Sequence, residues 1–362
     1  MSCVVTFGEI MARLAPPGFQ RIRQGLPGTL NVTFAGAEAN VAASLSFMGE
    51  AARFVTALPK NDLAEACAAS LRATGVDSRL IWSDQGRLGL YFLETGANQR
   101  PSRVIYDRDY SSVSLTTGDA YDWDLLFHDA DWFHVTGITP AISEAAADAT
   151  LAAVKCARSR GLTVSCDLNF RAKLWKWRPG TSARDLARQV MPEIVKYIDV
   201  LIANEEDCGD VLGIRAKDSD VASGVLEADR YPEVARQVIK QFPNIAMVAT
   251  TLRQSLSASF NRWGAMLFDA EADRAFFSPL HDGAYDPYEI RNIVDRVGGG
   301  DSFAAGLIFA MRSDAHEGCQ AIVDYATAAS CLAHSIEGDF NFSSRSEIEA
   351  LAAGSASGRV VR

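Results

Sequence analysis

The chain has 362 residues, 48% hydrophobic and 22% charged, enough to bury a sizeable core in one large domain or two smaller ones. Thirty-five Lys and Arg against 45 Asp and Glu leave a formal charge of −10, and no basic stripe offsets it, which argues against nucleic acid or an anionic membrane as a partner. Seven scattered cysteines without Cys-x-x-Cys spacing, five unclustered histidines, no run of about 20 apolar residues and no basic leader before the first strand predict a reduced, cytoplasmic protein without a transition-metal site.

Short runs rich in β-branched residues alternate with helical patterns. Val4–Phe7 reads as a strand, followed by a helix over Glu38–Met48, a strand over Ala52–Leu58 and a helix over Leu63–Thr74. The rhythm then breaks. Leu80–Trp82, Gly89–Glu94 and Arg103–Tyr106 are strand-like pieces separated by turn formers, with no helix between them. They predict a small β-lid, formed mainly by residues 10–35 and 79–110, that keeps water from a reacting centre. Alternation resumes with strands at Trp132–Thr136, Leu162–Asp167, Val200–Ala203 and Ile245–Thr250, and helices over Ser143–Arg160 and Arg184–Tyr197. Ser257–Phe260, Gly264–Phe268 and Ala275–Ser278 add strands, and Phe303–Met311, Gln320–His334 and Ser346–Ala353 follow as helices. This order predicts an α/β fold, a three-layer sandwich with a mostly parallel central sheet. One domain spans residues 1–353, and a frayed tail runs from Gly354 to Arg362.

The most informative segment is Asp295-Arg296-Val297-Gly298-Gly299-Gly300-Asp301-Ser302-Phe303, just before an apolar helix. Glycines let backbone N–H groups converge where a helix begins, and that positive dipole end is a ready site for phosphate. A carboxylate beside such a nest repels the ligand unless it has a task, such as taking a proton from an attacking hydroxyl. Glycine-rich turns before helices are common, and an Asp in a first turn is favoured by the dipole alone, so the segment gains its weight from its companions.

Those companions are Gly36-Ala37-Glu38-Ala39-Asn40, Gly89-Leu90-Tyr91, Tyr106-Asp107-Arg108, Asp167-Leu168-Asn169-Phe170-Arg171 and Asn204-Glu205-Glu206-Asp207, in that order. Together they resemble the ribokinase-like (PfkB) carbohydrate kinases over residues 3 to 342, and within them the 2-keto-3-deoxygluconate kinases. The Gly298–Asp301 run resembles that family's Gly-Ala-Gly-Asp signature, with Gly299 in the alanine position. The resemblance implies that Asp301 accepts the proton of the sugar hydroxyl, and that the amides of Gly298, Gly299 and Gly300 receive the charge on the transferred phosphoryl group. It implies substrate contacts from Gly36, Ala37, Asn40, Tyr91, Tyr106, Arg108, Arg171 and Asp339. Nucleotide contacts are implied for Asn169, Arg171, Asn204, Arg253, Gly298 and Gly300, and an indirect magnesium contact for Asp207. The chemistry of these residues agrees: a guanidinium fork binds a carboxylate through two bonds, and tyrosines offer flat surface with a polar tip.

Three positions depart from the family pattern. Gly8-Glu9-Ile10-Met11-Ala12-Arg13 lacks the strand-one aspartate that grips ribose hydroxyls, the Asn-x-x-Glu element ends in the shorter Asp207, and Thr251–Ser259 replaces a Lys-x-Gly-x-x-Gly nucleotide loop. The expectation is an ATP- and Mg2+-dependent kinase acting on the terminal hydroxyl of 2-keto-3-deoxy-D-gluconate, with homo-oligomers formed through the lid. The alternatives are a kinase for fructose, another ketose or another deoxy-ketogluconate, and a sugar-binding sensor that keeps the fold without transferring phosphate.

Overall fold

Most of the apolar runs become strands of one ten-stranded sheet. A computed structural model describes residues 2–204, 206–215 and 230–355; Glu205 and the end of the expected tail lie outside the described residues. Numbered along the chain, the strands are β1 (Cys3–Phe7), β2 (Met11–Ala15), β3 (Asn31–Ala35), β4 (Ala52–Pro59), β5 (Asp77–Ser83), β6 (Gly89–Glu94) and β7 (Arg103–Asp107). They continue with β8 (Ala130–Thr136), β9 (Thr163–Asp167), β10 (Val200–Asn204), β11 (Met247–Ser257), β12 (Phe260–Asp269) and β13 (Arg274–Ser278). The main sheet runs β13-β12-β11-β10-β9-β8-β1-β4-β5, with Tyr288–Ile290 paired to β12. From β11 to β5 every neighbour is parallel, and only the β12, β13 edge turns antiparallel.

Alternate residues of β1 enter opposite cores. Val5 and Phe7 pack with the helices Glu144–Ser159 and Ala183–Val195, whereas Val4 packs with the helices Ala37–Phe47, Asp62–Ala73, Gly299–Arg312 and Gly318–Ala333. The layering is the expected sandwich. The small residues at 326–329 serve packing: a Cβ on Gly306 would lie 3.0 Å from the Ala326 Cα, so the Gly299 and Gly318 helices touch closely there.

The lid exists, with one change of membership. β3-β2-β6-β7 form a separate four-stranded sheet, but β5, and with it residues 79–83, pairs in parallel with β4 in the main sheet. Its half-buried alternation is that of an edge strand, which sequence pattern does not distinguish from a hairpin arm. A second difference concerns Ser257–Phe260. β11 is longer than expected and already contains Thr251 to Ser257, so Ser257–Phe260 is the turn of a hairpin with β12, with a shift of register between Ser255 and Ser257. Among the described residues, no helix is long and apolar enough to cross a membrane.

Candidate active site

A cleft of about 310 Å³ lies where the C-terminal ends of the parallel strands face the small sheet. Two helix starts build its reactive end, because the helices Ala37–Phe47 and Gly299–Arg312 pack side by side in one layer. Gly298 has φ +83°, and a Cβ there would lie 2.3 Å from the Asp339 carbonyl oxygen, so glycine is required on both counts. Gly299 and Gly300 open the helix, where leading amides have no acceptor within the helix. Asp301 follows in the same turn and is buried.

One side chain joins the two helix starts. Asn40 Nδ2 donates to Asp301 Oδ2 at 2.6 Å, while Asn40 Oδ1 accepts from the Gly36 N–H at 3.2 Å. That pairing fixes which way the amide points. Burial pushes the Asp301 carboxyl up to about 7; the Asn40 hydrogen bond opposes the rise, and the Asp339 and Glu38 carboxylates add to it. A carboxylate that titrates near neutrality is matched to general-base work. Glu38 lies behind it, fully enclosed, with Oε1 accepting from the Thr136 and Thr139 hydroxyls at 2.7 Å each. Burial raises its pKa as well.

The small sheet supplies the other wall. Tyr91 on β6 and Tyr106 on β7 are register partners, and the Arg108 guanidinium lies 5.7 Å from the Tyr106 ring centroid. Two of the expected substrate residues already have partners within the protein. Arg108 is not a bare cation, because Nε donates to Glu9 Oε2 at 2.7 Å and Nη2 donates to the same oxygen. Asp339 lines the cleft with both oxygens already engaged, one by Arg13 and one by the Tyr91 hydroxyl. Arg13 also donates to Asp295, so a lid strand is tied to the body through a buried cation between two carboxylates.

The far end carries the expected nucleotide residues. Asn169 and Asn204 follow or end β9 and β10, and Arg171 and Arg253 line the same cleft. Arg171 is exposed and, among the described residues, its side chain is hydrogen-bonded only to the neighbouring Phe170 carbonyl at 3.1 Å, while Asp167, Asp207 and Asp301 all feel its charge. Asp207 lines the cleft with both carboxylate oxygens engaged by backbone. Its oxygens accept from the backbone N–H groups of Asn204 at 3.0 Å and Phe170 at 3.1 Å, so it holds the two strand ends in register. No cluster of three or more His, Cys, Asp or Glu side chains among the described residues could hold a metal.

The cleft thus brings together Gly36, Ala37, Asn40, Tyr91, Tyr106, Arg108, Asn169, Arg171, Asn204, Asp207, Arg253, Gly298, Gly299, Gly300, Asp301 and Asp339. Residues without an assigned role from sequence also line it, among them Glu9, Arg296 and the Trp263–His334 pair with ring centroids 5.0 Å apart. Arg13 did carry a signal. It alternates with Met11 and Ala15 on the buried face of β2, and a charge on an apolar face needs a partner.

Comparison with known proteins agrees with this geometry. Residues 1–239 match the pfkB family of carbohydrate kinases. The chain is 32% identical to the 2-dehydro-3-deoxygalactonokinase of Haloferax volcanii, across 98% of both chains. It aligns with the solved structure of a 2-dehydro-3-deoxygluconokinase from Thermotoga maritima at 44% identity and TM-score 0.85, covering 98% of this chain and 100% of the other. A PfkB family carbohydrate kinase from Listeria grayi aligns at 29% identity and TM-score 0.83, covering 97% and 99%. Sheet order, a buried aspartate behind a glycine turn in the cleft and likeness over nearly the full length converge: this chain belongs to the pfkB family of carbohydrate kinases.

Proposed function

We propose that the protein transfers the γ-phosphoryl group of ATP to the terminal hydroxyl of 2-keto-3-deoxygluconate. The observation that carries the reading is Asp301, buried and pushed up to about 7, in the first turn of a helix whose leading amides have no acceptor within the helix. The sugar oxygen attacks the γ-phosphorus, the bond to ADP breaks, and the hydroxyl proton passes to Asp301. The amides of Gly298, Gly299 and Gly300 receive the charge that grows on the phosphoryl oxygens, each such donor being worth about 3 kcal/mol. Arg171, without a carboxylate bonded to it, and the outer edge of Arg108 orient the sugar acid between Tyr91 and Tyr106. Magnesium enters as part of the nucleotide substrate, bridging its phosphates. Among the described residues no side chains form a cage of their own for it, and Asp207 is engaged by backbone amides.

The named relatives supply the substrate class: one acts on the deoxygalactonate and one on the deoxygluconate. Both compounds offer the same carboxylate and the same terminal hydroxyl. A coupled assay of ADP release with each epimer and with fructose tests the reading, and equal turnover of fructose would refute the acid-sugar assignment. Binding of an ATP analogue with no ADP formed on any of them would instead favour a sensor. The outer face of the small sheet supports a homo-oligomer. Val32, Leu14, Phe92 and Ile105 form one apolar row across its four strands, with Val32 and Ile105 more than half exposed. Light scattering on the wild type and on Ile105→Lys checks this.

A further inference from the structure

Glu9 is a cleft carboxylate with no part in the chemistry above. Glu9 follows β1, is 3% exposed and lines the cavity beside Gly89, where a Cβ would lie 2.4 Å from its Oε1. All its hydrogen bonding to side chains goes to Arg108, whose Nε and Nη2 share the single oxygen Oε2. Oε1 is sealed in without a partner. Leaving a buried charged acceptor unmet is costly, so nothing in the local packing rewards this pose except the hold on Arg108.

A guanidinium has two edges that bind a carboxylate through a pair of parallel bonds, one made of Nε and Nη2 and the other of Nη1 and Nη2. Glu9 takes the first edge. Nη1 has no hydrogen bond among the described residues and is not one of the sealed, unpartnered atoms, so it opens on the cleft that Arg108 lines. The pair is also charge-neutral, and the pull on an anionic substrate is therefore directional hydrogen bonding and not loose positive charge.

We infer that Glu9 is a specificity-determining positioning residue: it grips the inner edge of Arg108 and thereby aims the outer edge at the carboxylate of an acid sugar. The inference rests on the acid-sugar reading of the site and deepens it.

The test measures KM and kcat for 2-keto-3-deoxygluconate, and KM or the inhibition constant for fructose as the ligand without a carboxylate, in wild type, Glu9→Gln, Glu9→Ala, Arg108→Ala and the Glu9→Ala/Arg108→Ala double variant. With Glu9→Ala, KM for the acid should rise about tenfold, the scale of one charge-assisted hydrogen bond, and by a far larger factor than kcat falls. Glu9→Gln, which keeps an acceptor and the side-chain shape, should fall between and covers the case in which the alanine variant does not fold. The fructose constant should stay within about twofold, and the double variant should be no worse than Arg108→Ala alone. A fall in KM for the acid would mean that Glu9 only cancels charge, and an equal rise for fructose would mean that it only supports the fold; either overturns the inference. If wild type fails to phosphorylate the acid at all, the proposed function itself falls, and that outcome is visible before any variant is made.

Discussion

Replacing Asp301 by Asn should move catalysis and stability in opposite directions. Loss of a positioned base lowers kcat by 10² to 10⁴, or roughly 3 to 5 kcal/mol of barrier, with little change in the affinity for sugar or ATP. The carboxyl stands at about 7 in the folded chain against an ordinary 3.8, so folding penalises its charged form by roughly 4 kcal/mol at most. A raised acid binds more protons folded than unfolded, and the penalty is therefore complete above pH 7, shrinks as pH falls through the interval down to 3.8, and is absent below it. Asn carries no such charge, so the variant should be more resistant to urea than wild type at pH 8, by as much as a few kcal/mol, with the advantage gone at pH 3.5. Single-turnover kinetics and urea titrations at several pH values measure both arms. Undiminished catalysis, or a variant less stable than wild type at pH 8, would refute the assignment of a strained, buried base.

The wild-type rate should fall about tenfold per pH unit below 7, because only ionised Asp301 accepts a proton; Asn40→Ala removes the bond that holds its pKa down and should shift that acid limb upwards, with activity partly recovered at pH 9. An unmoved limb in a pH profile of kcat/KM would contradict the pairing. Gly298→Ala forces φ +83° on a residue with a Cβ 2.3 Å from a backbone oxygen, and displacement of the amide nest should cost 10² or more in kcat. Gly300→Ala, with nothing within 4 Å of the added carbon, should melt within a degree or two of wild type. Arg13→Ala strands Asp295 and Asp339 as buried anions and should cost about 3 to 5 kcal/mol in a urea titration at pH 7.

Most of the layered body was legible because its signals are local. The fully buried, β-branched run of β1, the apolar run of β10 and the small-residue face of the Ala37 helix each reveal their element within a few residues. The glycine turn and its aspartate were legible for the same reason, since capping and dipole effects act over one helical turn. What could not be read is long-range. The Arg13 contacts join residues 282 and 326 positions apart, and the Glu9–Arg108 pair spans 99, so no periodicity announces them. The membership of β5 failed for a related reason: an edge strand and a hairpin arm share one pattern, and only pairing with β4 decides between them.

The Asn40 bridge has a bearing on attempts to change what this scaffold accepts. Because a single amide both orders the loop at Gly36 and tethers the Asp301 carboxylate 261 positions away, the proposed recognition of the guest and the proposed activation of its oxygen form one unit. A chimera that imports residues 36–40 from a cousin with different tastes imports a new setting for the base as well, and its turnover will report that retuning before it reports any gain in selectivity.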